Sequence, residues 1–216
     1  MRTRAIAILA ALLLAAVAVF AADAKVETIG ALTDTAVPDG VRQALAPQGY
    51  RVTLDDGSVR ELWLRASVPV QKKDVAGALY PQLAESTMVG VLHFTTKGND
   101  YRGQAIAPGY YALRYELIPS DGNHLGVSPN PDFVLLAPVA ADPDPKAQFD
   151  FKALVELSRK ATGTKHPGPM SLAPADKTVP GVSKDDQDHS IVSVKLKLES
   201  GDELPIGLVV KGTAQE

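Results

Sequence analysis

The chain has no cysteine. That excludes disulfides, thiol catalysis, cysteine-held zinc and iron–sulfur clusters. An exported protein without disulfides needs a true hydrophobic core to hold it. There is no block of basic residues, and the net charge is −3. Nucleic acid is therefore not an expected partner. Past residue 24 no apolar run is long enough to cross a bilayer, which takes ~20 residues. The catalytic signatures are missing too. There is no H-E-x-x-H or H-x-x-x-H spacing, no G-x-S-x-G elbow and no glycine-rich phosphate loop.

The first thing present is an address. Met1 to Arg4 carries two arginines, Ala5 to Phe20 is uncharged and apolar, and Ala22-Asp23-Ala24 offers small residues around a cleavage point. That is the order of a secretory signal peptide. Residues 1–24 are expected to be removed, leaving a mature chain from Lys25 in the periplasm or outside the cell. Losing Arg2, Arg4 and Asp23 moves the net charge from −3 to −4. No cysteine follows the cleavage point, so no lipid anchor is expected.

The remainder is rich in short alternating segments. Tyr50, Val52 and Leu54 alternate with polar residues, Asp56-Gly57 forms a turn, and Val59 to Ala66 returns, the pattern of a hairpin. Val89 to Thr96 and Tyr110 to Ile118 alternate as well. Phe133 to Val139 is apolar on both faces, as expected of a strand covered on both sides. Val192 to Leu198 and Leu204 to Val210 make a closing hairpin, and Pro205 predicts an edge position for the last strand. Asp150 to Lys160 changes to helical period, with Gly163 suited to end the helix. Residues 161–188 read as a long Pro-rich loop. The expected fold is mainly β, an antiparallel β-sandwich of jelly-roll or immunoglobulin-like type with one or two short helices, in a single domain over 25–216.

The stretch PSDGNHLGVSPNPD, Pro119 to Asp132, holds the most chemistry. Asp121, His124 and Asp132 carry carboxylate and imidazole groups that suit a divalent metal, and His166 lies in a second loop that a fold could bring near. The same residue types also make ordinary turns. Tyr101, Tyr110 and Trp63 are the aromatics left for an exposed, sugar-stacking surface once Tyr111 and Tyr115 are assigned to the core. Arg102 adjoins Tyr101. His93 is expected to be packed and hydrogen-bonded. His189 follows Asp185-Asp186-Gln187-Asp188 and reads as a solvated strand entry. Asp188-His189-Ser190 cannot be a triad, because neighbouring strand residues face opposite ways.

The segments DYRGQAIAPGYYALRYELIPSDGNHLGVSPNPDFVLLAP and SRKATGTKHPGPMSLAP together resemble an uncharacterised family of exported bacterial proteins. Its pattern is D-Y-R-G-Q, then G-x-Y-x-L-R-Y, then D-G-x-H-x-G, then D-F-x-L-L. The likeness covers roughly Asp100 to Pro174. It implies no activity and lends no catalytic residue. It does imply that Asp121, Gly122, His124 and Gly126 belong to a family motif. The P-G-x-Y-x-L element alone is also similar to transthyretin-like and carboxypeptidase-regulatory-like sandwiches.

Three functions are open at this level. The expected one is non-enzymatic binding of a small ligand, a glycan or an envelope protein on the rim formed by residues 97–102, 119–132 and 161–188, using Tyr101, Arg102, Tyr110, Asp121 and His124. The second is a divalent-metal site or metal-dependent enzyme built on Asp121, His124, Asp132 and His166. The third is a structural envelope domain without a ligand.

Overall fold

Alternation of apolar and polar residues builds strands only if one face can be buried. Here nearly every strand finds such a face. The computed structural model describes residues 23–71, 74–119 and 128–214. The expected signal peptide lies outside them, apart from Asp23 and Ala24.

Among the described residues the strands are β1 (Lys25–Gly30), β2 (Gln48–Thr53), β3 (Val59–Leu64), β4 (Met88–Phe94), β5 (Gly98–Asn99), β6 (Ala105–Ile106), β7 (Gly109–Leu117), β8 (Asp132–Pro138), β9 (Pro169–Ala173), β10 (Gly181–Lys184), β11 (Ser190–Lys197) and β12 (Glu203–Lys211). The helices are α1 (Asp39–Ala44) and α2 (Phe151–Thr162). Ten strands form one antiparallel sheet in the order β1-β2-β3-β4-β7-β8-β9-β12-β11-β10, and β5 and β6 pair separately. The sheet curls until its two edges, β1 and β10, touch. The protein is thus mainly β and antiparallel. Instead of two hydrogen-bonded sheets, it has one that nearly closes into a barrel. The two halves of this sheet meet at β9, which pairs with β12 at only Ala173 and Leu172.

Two cores follow from that curl. The inward residues include Val52, Leu62, Leu92, Leu113, Tyr115, Val194 and Leu208. The outward face of β3, β4, β7 and β8 is covered by the helices, which pack Val41, Leu154, Val155 and Leu157 against Trp63, Val91, Ala112, Phe133 and Leu135. That double cover is why β8 is apolar on both faces. Trp63, expected at the surface, is buried here, and its indole Nε1 donates to the Gly30 carbonyl at 2.9 Å. Gly49 makes room for it, since a Cβ there would run into the indole ring. Helix α2 starts where Asp150 accepts from the Ala153 N–H at 2.7 Å, and ends at Gly163 in the left-handed region (φ 65°), as its sequence predicts.

Two expectations are corrected. Residues 161–188 are not one long loop, because they carry the end of α2 and strands β9 and β10. Their prolines bound the strands instead of breaking them. Pro169 opens β9, Pro174 follows it, and Pro180 precedes β10. Nor is the last strand an edge, since β12 lies between β9 and β11. Pro205 is tolerated near its start, opposite Lys195, because β9 reaches only Gly207 and Leu208.

Candidate functional site

Three stretches converge on the outer face of the β9–β12–β11 half. The Asp100–Gln104 turn is pinned by its own acid. The Asp100 carboxylate accepts from the N–H groups of Arg102 (3.0 Å) and Gln104 (2.8 Å) and from the Gln104 amide (2.7 Å). Burial raises the Asp100 carboxyl above its ordinary value despite these donors. The turn presents Tyr101, whose N–H donates to the Pro169 carbonyl at 2.8 Å and whose own carbonyl accepts from Ala214 at 2.7 Å. The Tyr101 ring is buried against Ala173, Ile191 and Val209.

The β10–β11 turn supplies the second wall. Asp185 accepts from the N–H groups of Gln187 (3.0 Å) and His189 (2.9 Å), and its other oxygen faces His189 Nδ1 at 2.8 Å. Burial works to raise the Asp185 carboxyl, but the His189 N–H and ring outweigh it and hold it below its ordinary value. His189 Nε2 donates to the Thr213 carbonyl at 3.0 Å. Both ring nitrogens therefore lie against oxygen atoms. His189 is 4% exposed, and its ring meets the Tyr101 ring edge-on, with centroids 5.5 Å apart.

The third wall is β9 with the residues just before β8. Asn130 donates to the Leu172 carbonyl at 3.1 Å, as does the Ser171 hydroxyl, also at 3.1 Å. Between these walls is a cleft of about 310 Å³ lined by Tyr101, Asn130, Ser171, Asp185, Gln187 and His189 among others.

Of the hydroxyls lining the cleft, that of Ser171 donates to a carbonyl, and both nitrogens of the imidazole are engaged. Ser190, beside His189, is wholly buried with its hydroxyl unpartnered. What the cleft offers is a carboxylate, amide groups and an aromatic edge.

The sequence-predicted residues separate. Tyr101 lines the cleft, with Arg102 exposed beside it. Tyr110 belongs to the helix-covered flank. It stacks on His93 at 4.0 Å and donates to Asp34 at 2.9 Å. Burial, then Asp34, pushes its phenol up to about 12. His93 is hydrogen-bonded to Glu61 at 2.9 Å, as a packed histidine should be. Asp132 is fully buried, and its oxygens accept from the N–H groups of Leu79 (2.9 Å) and Tyr80 (2.7 Å). Its carboxylate is thus already engaged as a structural acceptor. His166 is exposed between α2 and β9, its backbone held by Thr162 and Thr164. Asp121 and His124 lie outside the described residues. Among the described residues no group of three or more His, Asp or Glu side chains is arranged to hold a metal.

Sequence reasoning missed Asp185, Gln187 and His189, reading them as a solvated strand entry. It also passed over Asn130 and Ser171. A signal was there in part: Asp185 and His189 stand four apart around a turn in which Asp188 adopts φ 64°, so a tight turn returns the histidine to the acid. No protein-family model matches the chain, and no curated protein or solved structure is significantly similar to it.

Proposed function

We propose that the protein is an exported, non-enzymatic binder of a small polyhydroxylated ligand, such as a glycan fragment, at the Tyr101–Asp185–His189 cleft. The observation that carries this reading is the lining itself. The Gln187 amide, the Asn130 amide oxygen and the remaining lone pairs of the fixed Asp185 carboxylate can donate to and accept from vicinal hydroxyls, and the Tyr101 edge gives an apolar contact. Rim residues held by a rigid sheet suit such a role.

The test is a calorimetric titration with neutral mono- and disaccharides, repeated on Asn130→Ala and Gln187→Ala. Saturable binding of at least one sugar, weakened by both substitutions, is expected. Binding that neither substitution weakens would remove the cleft from the mechanism. No binding across the set would favour a protein partner.

A further inference from the structure

On the other side of the C-terminal tail, a second cleft opens at the end of the barrel. Its floor is Arg60. Strand β3 turns Leu62 and Leu64 inward, so Arg60 takes the inward position next to the end of the strand. It is 4% exposed. Its guanidinium lies over the Phe94 ring, 4.5 Å from the centroid, and Nη1 donates to the Val59 carbonyl at 2.9 Å. The buried Nε has no partner. Among the described residues no carboxylate stands within ion-pair distance of it. Asp56 acts on it only from beyond that distance, and is itself bound by the Ser58 hydroxyl at 2.7 Å and Lys211 at 3.0 Å.

An unpaired buried charge is costly, and proteins retain one where something compensates it. Stacking on Phe94 contributes, but it leaves Nε without an acceptor. Burial depresses Arg60 below the ordinary guanidinium value, partly offset by the Asp56 charge. Arg60 lines a cleft of about 310 Å³ together with Asp56, Ser58, Lys97, Asn99, Lys211 and Thr213. Lys97 is exposed and has no ion pair among the described residues. Gly98 is required by this packing, since a Cβ there would strike both Arg60 Nη2 and the Phe94 ring.

We propose that this barrel-end cleft is a binding site for a compact oxyanion, the phosphate or carboxylate group of a small ligand, received by the Arg60 guanidinium with Lys97 closing over it. A planar guanidinium edge matches both groups and forms charge-assisted hydrogen bonds with them. The ligand is a small molecule and not a polyanion, because Asp56 stands in the cleft wall and its neighbour Asp55 adds a second negative charge close by. Asp55 holds both Lys184 and Lys211 at 2.6 Å, and Lys184 also holds Asp188. The site is independent of the glycan reading, being separated from that cleft by residues 211–213.

The test is a nuclear magnetic resonance titration of the purified protein with inorganic phosphate and, separately, with acetate, at ionic strength held constant with chloride. The Arg60 Nε–H resonance is followed. A saturable shift is expected, with binding weakened about tenfold in Lys97→Gln, the loss of one charge-assisted contact. Gly98→Ala, which displaces the guanidinium, should abolish the shift. Saturation by phosphate alone assigns a phosphoryl ligand, and saturation by both admits a carboxylate. A shift that stays linear with both anions, or binding that leaves Nε–H unmoved and ignores Lys97→Gln, would overturn the proposal and leave Arg60 as a stacked plug on Phe94.

Discussion

Arg114 on β7 and Asp142 form a two-pronged ion pair at 2.8 and 2.6 Å with both side chains out of solvent. The guanidinium also donates to the carbonyls of Ser86 (2.8 Å), Ala147 (2.7 Å) and Asp144 (2.9 Å), and lies over Phe149. It therefore ties the segment leading into α2 to the outer face of the sheet. Replacing it with methionine strands a buried carboxylate and three carbonyls. Urea unfolding of Arg114→Met should show a loss of ~3–5 kcal/mol, the usual result of removing one partner of a buried pair. A loss below ~1 kcal/mol would mean that Asp142 finds water or another donor.

The junction of the two sheet halves depends on Tyr80. Its hydroxyl donates to the Ala173 carbonyl at 2.6 Å and accepts from the Gly207 N–H at 2.9 Å, beside the short β9–β12 pairing. Its own N–H donates to Asp132. Tyr80→Phe keeps the ring but leaves both backbone groups without that partner, at ~1–3 kcal/mol. Hydrogen exchange at Gly207 should accelerate well before the β7–β8 ladder responds. Equal acceleration of both would show that the barrel opens as one unit.

Acid should loosen the β2–β3 turn. Hydrogen bonds from Ser58, assisted by Lys211, hold the Asp56 carboxyl down to about 2. Lys184 and Lys211 hold Asp55 below its ordinary value as well. A folded-state value below the unfolded one, about 3.9 for aspartate, means that the proton binds the unfolded chain more readily. The stabilisation is complete above about 3.9 and is lost as pH falls toward about 2. Asp56→Asn should flatten that part of the stability-against-pH curve, read from urea midpoints. An unchanged slope would place the acid sensitivity elsewhere.

Much of the barrel was legible because alternation reports burial directly. Tyr111, Leu113, Tyr115 and Leu117 point inward as their spacing predicts, and α2 announces itself by period, Asp150 and Gly163. What failed to show has physical causes. Helix α1 is six residues with one buried side chain, Val41, too short to display a period. Strand β9 is framed by prolines that usually mean loop. Whether strands close into one curled sheet or split into two depends on edge contacts such as β1 with β10, which no local pattern encodes. At the cleft, Tyr101 could be seen as a rim residue. His189 could not, because its burial comes from the tail residues Gly212 and Thr213, more than twenty positions away.

That tail contact makes the sharpest prediction about the cleft. Gly212 has φ 137°, a conformation L side chains avoid, and a Cβ there would collide with the His189 ring at Cδ2. The glycine therefore lets the tail run against the imidazole, so that the Thr213 carbonyl can reach Nε2. Gly212→Ala must displace either the tail or the ring, and strain of this kind costs ~1–3 kcal/mol. The His189 ring resonances should move, the protein should melt several degrees lower, and sugar binding at the cleft should weaken. His189→Gln provides the comparison, since it keeps a polar group without the double contact to Asp185 and Thr213. If Gly212→Ala alters melting but leaves both the His189 resonances and binding untouched, the tail yields alone, and His189 is seated by Asp185 without help from Thr213.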